Sequence, residues 1–187
     1  RRPPRSTLDR SSAASDVYKR QAYDTDKHEY LLSENKWLSK SVDNGTKILG
    51  ICLGSQLVAD SLDGEAYLSD EIEFGFKNLN FVRNEEIFSD FQDTEVFTWH
   101  RDTFKIPSKA KLIAETDFPQ IYKIKNTVCI QFHPEVTVEL FDKWYESEVS
   151  KKELKNYDVE LTRNKLINYE NSMNQKVNSF YKKWKDT

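Results

Sequence analysis

Glycine and proline are scarce, five of each in 187 residues, and the chain holds two cysteines and three histidines. Cys52 and Cys129 lie far apart in sequence, so they make no disulfide framework. The two remaining fates are a reactive thiol and a small buried hydrophobe, and the surrounding residues must choose between them. No stretch approaches the roughly 18 to 20 apolar residues of a membrane span, so a soluble, cytoplasmic protein without membrane partners is expected. A formal net charge of −3 leaves no electrostatic footprint for nucleic acid or an anionic membrane surface. There is no internal repeat and no low-complexity tract.

What is present is a good supply of large core side chains, 13% aromatic, enough for one packed domain. Residues 1–21 stand apart. They hold six basic and two acidic side chains and no apolar h-region, which excludes a signal peptide, although the Arg/Ser richness is shared with transit peptides. The run Ser11–Gln21 looks like a translated sequencing adaptor, so this segment is expected to be foreign and disordered. Residues 22–187 are expected to form the domain, and without residues 1–21 it is more acidic than −3.

From Ala22 the pattern alternates. Asp24-Thr25-Asp26 are candidate N-caps for a helix whose apolar positions are Tyr30, Leu31, Trp37, Leu38 and Val42, stopped at Asn44-Gly45. Lys47–Ile51 is a short apolar run of the buried-strand type, and Ser55–Leu62 reads as a helix. Residues 65–82 are strand-like with turns. Further short strands are expected at Glu95–Trp99, Lys111–Glu115, Gln120–Ile124 and Thr127–Phe132. A helix begins at Val138. Beyond Lys151, Leu166, Met173, Val177, Phe180 and Trp184 fall on one face of a long helix, expected to pack on the domain's own core. Lys182, Lys183 and Lys185 read as its solvated side.

Two constellations carry chemistry. Strand, Gly50-Ile51-Cys52-Leu53-Gly54, helix is the layout of a nucleophile elbow with cysteine as nucleophile, its glycines admitting a sharp turn and close backbone approach. Cys52 then opens a helix, where the dipole favours thiolate. The same motif also fits a tight strand–helix turn around a buried cysteine. The second is Gln131-Phe132-His133-Pro134-Glu135 at the end of a strand. Residues two apart project to one side, so Glu135 can orient the His133 imidazole. Cysteine, histidine and carboxylate together make an activated nucleophile. His100-x-Asp102 and His133-x-Glu135 could instead be metal ligands, but no H-x-x-x-H or cysteine cluster supports a metal site. A cysteine α/β-hydrolase would carry its acid well before a terminal histidine, whereas here the acid follows. Cys129, alternating with Thr127 and Gln131, reads as core.

Four blocks occur in order: ILGICLGSQLVAD (48–60), EFGF (73–76), FTWHRDTFKIP (97–107) and VCIQFHPEVT (128–137). In these the chain resembles class I, triad-type glutamine amidotransferases, and is similar to the amidotransferase domain of GMP synthase. The resemblance implies an α/β, flavodoxin-like fold with a parallel central sheet and helices on both faces. It implies an enzyme without metal or organic cofactor that hydrolyses L-glutamine to glutamate and ammonia through a thioester. Cys52 would be the nucleophile, His133 the base and acid, and Glu135 its orienter. The Leu53 N–H would be an oxyanion donor, and Gln56 would hold substrate. His100, Arg101 and Asp102 would form a loop at the substrate's amino-acid end, with Arg101 where many relatives have a small residue. Gly75 reads as a structural turn. A γ-glutamyl peptide hydrolase and a non-catalytic module of the same fold are alternatives. A separate synthetase subunit is the implied ammonia acceptor, since no Ser-Gly-Gly-x-Asp-type loop is present.

The resemblance also carries an absence. Members begin with strand, helix, and a strand ending in a Gly-Gly-Pro loop, and Ala22–Asp26 looks like the end of that region. The loop supplies a second oxyanion donor, whose loss costs on the order of 10² to 10³ in rate. Missing strands would leave apolar faces open. The expectation is an active parent and a weakly active or inactive, poorly stable 187-residue chain.

Overall fold

The computed structural model describes Ala22 and residues 29–187. The expected foreign segment 1–21 and the N-caps at 24–26 lie outside those residues. The elements are α1 (Glu29–Asp43), β1 (Ile48–Ile51), α2 (Leu53–Asp60), β2 (Glu65–Asn78), β3 (Asn80–Phe81), a 3₁₀ turn (Glu86–Phe91), β4 (Glu95–Lys105), β5 (Lys111–Glu115), β6 (Pro119–Ile124), β7 (Thr127–Ile130), α3 (Val138–Tyr145), α4 (Glu148–Glu153) and α5 (Val159–Asp186).

In α1, Leu31, Leu38 and Val42 are buried, spaced to fall on one line of a 3.6-residue helix. Tyr30 and Trp37, expected on the same stripe, sit about 100° to 120° off that line at 100° per residue. They are 44% and 61% exposed. The helix closes on Gly45 at φ 74, whose N–H donates to the Val42 carbonyl.

Among the described residues the strands form a five-stranded sheet in the order β1-β7-β6-β5-β3 and a separate β2-β4 pair. The α/β class is as expected, but among the described residues parallel pairing is confined to β1 with β7 and the other pairings are antiparallel. Connection length is the reason. Lys125 and Asn126 alone join β6 to β7, and two residues can only make a hairpin.

Strand alternation sorts the two faces of the larger sheet. Val128, Ile130 and Ile121 join Phe88, Phe91, Met173 and Phe180 from the 3₁₀ turn and α5. Cys129, Tyr122 and Ile124 point the other way, onto Leu38 and Val42 of α1 and Val58 and Ala59 of α2. Helices therefore cover both faces. A third cluster, including Phe74, Phe97, Phe141 and Leu166, packs the β2-β4 pair against α3 and α5.

Three expected elements change length. β2 is one strand of fourteen residues, its register shifting between Leu68 and Glu73. β4 runs on from Trp99 to Lys105 because it pairs with β2 throughout. The C-terminal helix is divided into α4 and α5, and its apolar face packs on the domain core as expected, with Leu166, Met173 and Phe180 fully buried. Of its lysines, Lys183 is half-buried and bonds Asp90 at 2.8 Å.

Candidate active site

The site is built where β1 ends. The Cys52 N–H donates to the Ile130 carbonyl at 2.8 Å, carrying the β1-β7 pairing one residue past the strand, and α2 starts at Leu53. Between strand and helix, Cys52 takes φ 46 and ψ −107. Such a backbone is unusual for a residue with a Cβ and costs about 1–3 kcal/mol, so the surroundings must hold it. They do: the Cys52 carbonyl accepts from the N–H groups of Ser55 and Gln56 and from the Ser55 hydroxyl at 2.6 Å. Tyr122 in turn donates to the Ser55 carbonyl at 2.7 Å.

The two glycines of the elbow differ. A Cβ on Gly50 would stand 2.8 Å from the Gly54 carbonyl oxygen, so close approach requires glycine there. A Cβ on Gly54 would meet nothing within 4 Å. The expectation of close backbone packing therefore holds for the first glycine and not for the second.

His133 follows β7, held by its N–H donating to the Phe97 carbonyl at 2.9 Å. Its Nδ1 lies 2.8 Å from Glu135 Oε1. Since a carboxylate only accepts, Nδ1 donates, and the Cys52 side chain lies near enough to act on the same imidazole. Burial works against the imidazolium, but the charges and hydrogen bonds of Cys52 and Glu135 outweigh it and hold His133 well above its ordinary range. The structure thus brings Cys52, His133 and Glu135 together. Leu53 begins α2, so its N–H is one of the first-turn donors a helix leaves without an internal acceptor, one residue from the thiol.

Gln56 is buried, and its amide nitrogen donates to the Asp102 carbonyl at 2.9 Å and lies 3.2 Å from Gln131 Oε1. The Gln131 amide nitrogen in turn stands 3.5 Å from Cys52 Sγ. Gln131 was legible only as part of the His-Pro-Glu block; its contact with the thiol is set by tertiary structure. Trp144, whose ring centroid is 4.8 Å from that of His133, belongs to no motif and is placed there by tertiary structure alone.

His100, Arg101 and Asp102 lie in strand β4, not in a loop, because His100 and Asp102 are in register with Glu73 and Leu68. The His100 ring is engaged inside the protein, with Nε2 at 2.8 Å from Glu73 Oε2 and Nδ1 at 3.1 Å from the Asp102 carbonyl. Arg101 is exposed and donates to the Ser69 carbonyl across the register shift of β2. Asp102 meets Gln56 through its backbone. Gly75 takes φ 98 inside β2, opposite Thr98. Cys129 is fully buried, and burial pushes its thiol up to about 12 against the partial opposition of Tyr122 and the Gly50 backbone. Among the described residues no cluster of three or more His, Cys, Asp and Glu side chains is arranged to hold a metal, and no helix is long and apolar enough to cross a membrane.

An elbow cysteine beside a histidine and a carboxylate that follow the neighbouring strand is set in an α/β protein. The model of the class I glutamine amidotransferase family matches residues 25–151, well over half of the chain, and the chain belongs to that family. It is 34% identical over 133 residues to the GMP synthase [glutamine-hydrolyzing] of Brachyspira hyodysenteriae and 36% identical over 107 residues to that of Clostridium botulinum. Those stretches take in 67% and 54% of this chain but only 23% and 21% of the two relatives. A glutamine amidotransferase structure from Thermotoga maritima superposes with a TM-score of 0.80 at 27% identity, covering 90% of this chain and 75% of that one. A second, from Methylobacillus flagellatus, has a TM-score of 0.78 at 22% identity and shares the fold, covering 89% and 72%.

Proposed function

We propose that the domain hydrolyses the side-chain amide of L-glutamine to glutamate and ammonia, with Cys52 as nucleophile. Cys52 Sγ attacks the amide carbon, and the carbonyl oxygen becomes an oxyanion facing the Leu53 N–H. The imidazolium of His133 gives its Nε2 proton to the leaving nitrogen, so the C–N bond breaks, ammonia departs and a γ-glutamyl thioester remains on Cys52. His133 then takes a proton from water, whose hydroxide attacks the thioester; the C–S bond breaks and glutamate leaves. Glu135 keeps Nδ1 protonated and the ring aligned. Gln56, held by the Asp102 backbone, and the β4 backbone around His100 and Arg101 bound the substrate end.

The observation that supports this reading most is the His133 imidazole held by Glu135 at 2.8 Å close to Cys52, which sits on a backbone with φ 46 between strand and helix. The relatives are named GMP synthase and the matched stretch is only 23% and 21% of their length, so a synthetase domain or subunit outside it is the proposed ammonia acceptor.

Glutamate release from glutamine tests the reading. Cys52→Ala is expected to reduce turnover by at least about 10³-fold, as removal of a nucleophile does in triad enzymes. Turnover surviving that change would refute the assignment. Preferential turnover of γ-glutamyl peptides would move the substrate to that class, and labelling of neither thiol by a glutamine-analogue electrophile would favour a non-catalytic module.

A further inference from the structure

Glu135 alone does not explain how the His133 ring is kept in place. Its side chain is 41% exposed while that of His133 is 10% exposed, so the hydrogen bond between them is open to water on the carboxylate side. The flank of the imidazole is covered by Trp144, the ring planes tilted by 58° with centroids 4.8 Å apart. Trp144 is itself only half-buried and leans edge-on against Trp99 at 6.1 Å, so it is not a member of the buried core as Phe141 is.

Trp144 lies in the last turn of α3, and α5 fixes that helix at both ends. The Glu170 carboxylate accepts from the Val138 N–H at 3.1 Å, capping the start of α3. Arg163 grips Asp142 through two hydrogen bonds of 2.6 Å each, near its end. One more contact from α5 reaches the other support of His133. The Phe97 N–H donates to the Tyr169 hydroxyl at 3.3 Å, and the Phe97 carbonyl accepts from the His133 N–H. The matched family segment ends at residue 151, so these contacts come from a helix beyond it.

We propose that Trp144 is a positioning residue for His133, and that α5 holds it in that position through Arg163, Tyr169 and Glu170. A tilted indole packed this close to the imidazole removes ring orientations that would break the Nδ1–Glu135 bond and excludes water from that side of the imidazolium. The consequence for turnover rests on the amidotransferase reading above; the consequence for the ring does not.

The test compares Trp144→Ala, Trp144→Phe and Arg163→Met in the full chain. Two readouts are used: the steady-state kinetics of glutamate release, and the deshielded proton resonance of His133 Nδ1–H. Trp144→Ala is expected to lose the resonance to exchange and to lower kcat by about tenfold, or about 1.4 kcal/mol, with KM changed by less than about twofold. Trp144→Phe should restore both, because it keeps an aromatic ring against the imidazole. Arg163→Met should broaden the resonance and lower kcat by about threefold.

Unchanged kcat and resonance in Trp144→Ala would overturn the proposal, as would a Phe variant as impaired as the Ala variant. Should Trp144→Ala fail to fold, Arg163→Met decides, since its ion pair is half-exposed; an unchanged resonance there refutes the role of α5. A wild-type parent that releases no glutamate sinks the amidotransferase reading and leaves the resonance to judge the positioning.

Discussion

The two thiols of this chain are separated by environment rather than by chemistry. Cys129 is fully buried and its thiol is pushed up to about 12, whereas Cys52 is partly accessible at the start of α2. Alkylation of the native protein by iodoacetamide at pH 7.5 should therefore modify Cys52 at least about 100-fold faster than Cys129, with equal rates in denaturant. Peptide mapping after timed quenching measures this, and comparable native rates would contradict the assignment. His133 gives a second consequence. It is held above its ordinary value in the folded chain, so the native state binds the proton more tightly than the unfolded state. Its contribution to stability is present in full below the unfolded value of about 6.5 and is lost as pH rises through the raised native value. The urea midpoint should fall as pH rises above about 6.5, and the fall should be shallower in His133→Gln.

At the scale of elements, the elbow is a strand and a helix joined through one strained residue. Gly50→Ala would drive a methyl group to within 2.8 Å of the Gly54 carbonyl oxygen, and it should cost about 1–3 kcal/mol by displacing backbone. Gly54→Ala meets open space inside a helix and should leave stability unchanged or raise it by about 0.4–1 kcal/mol. Thermal unfolding of the two variants separates these outcomes; equal losses would show that both glycines serve the turn alike. Period and punctuation made the short elements readable: β1, β5, β7 and α3 lie close to where alternation, apolar runs and turn residues place them. The long β4 was not readable beyond Trp99, because five of its last six residues are polar or charged and only Phe104 is apolar. What makes them a strand is the β2 backbone alongside, which no local pattern encodes.

For the whole molecule, α5 joins the cores. Leu166 packs under β2 and β4, while Met173 and Phe180 pack on the main sheet, and all three are buried. Phe180→Ala should cost about 3–5 kcal/mol, a large share of the stability of a chain this size. A urea midpoint within error of wild type would mean that α5 is a dispensable appendage. The sequence by itself determined the elbow cysteine, the histidine with its carboxylate and the apolar stripe of the last helix. Each of these is encoded within a few residues by spacing and side-chain type. Only the tertiary structure decided that the sheet is mixed, that His100 turns inward to Glu73, that Gln131 reaches the thiol and that Trp144 flanks the imidazole. Those contacts join residues distant in sequence, and they are fixed by strand register and helix packing, which local composition does not specify.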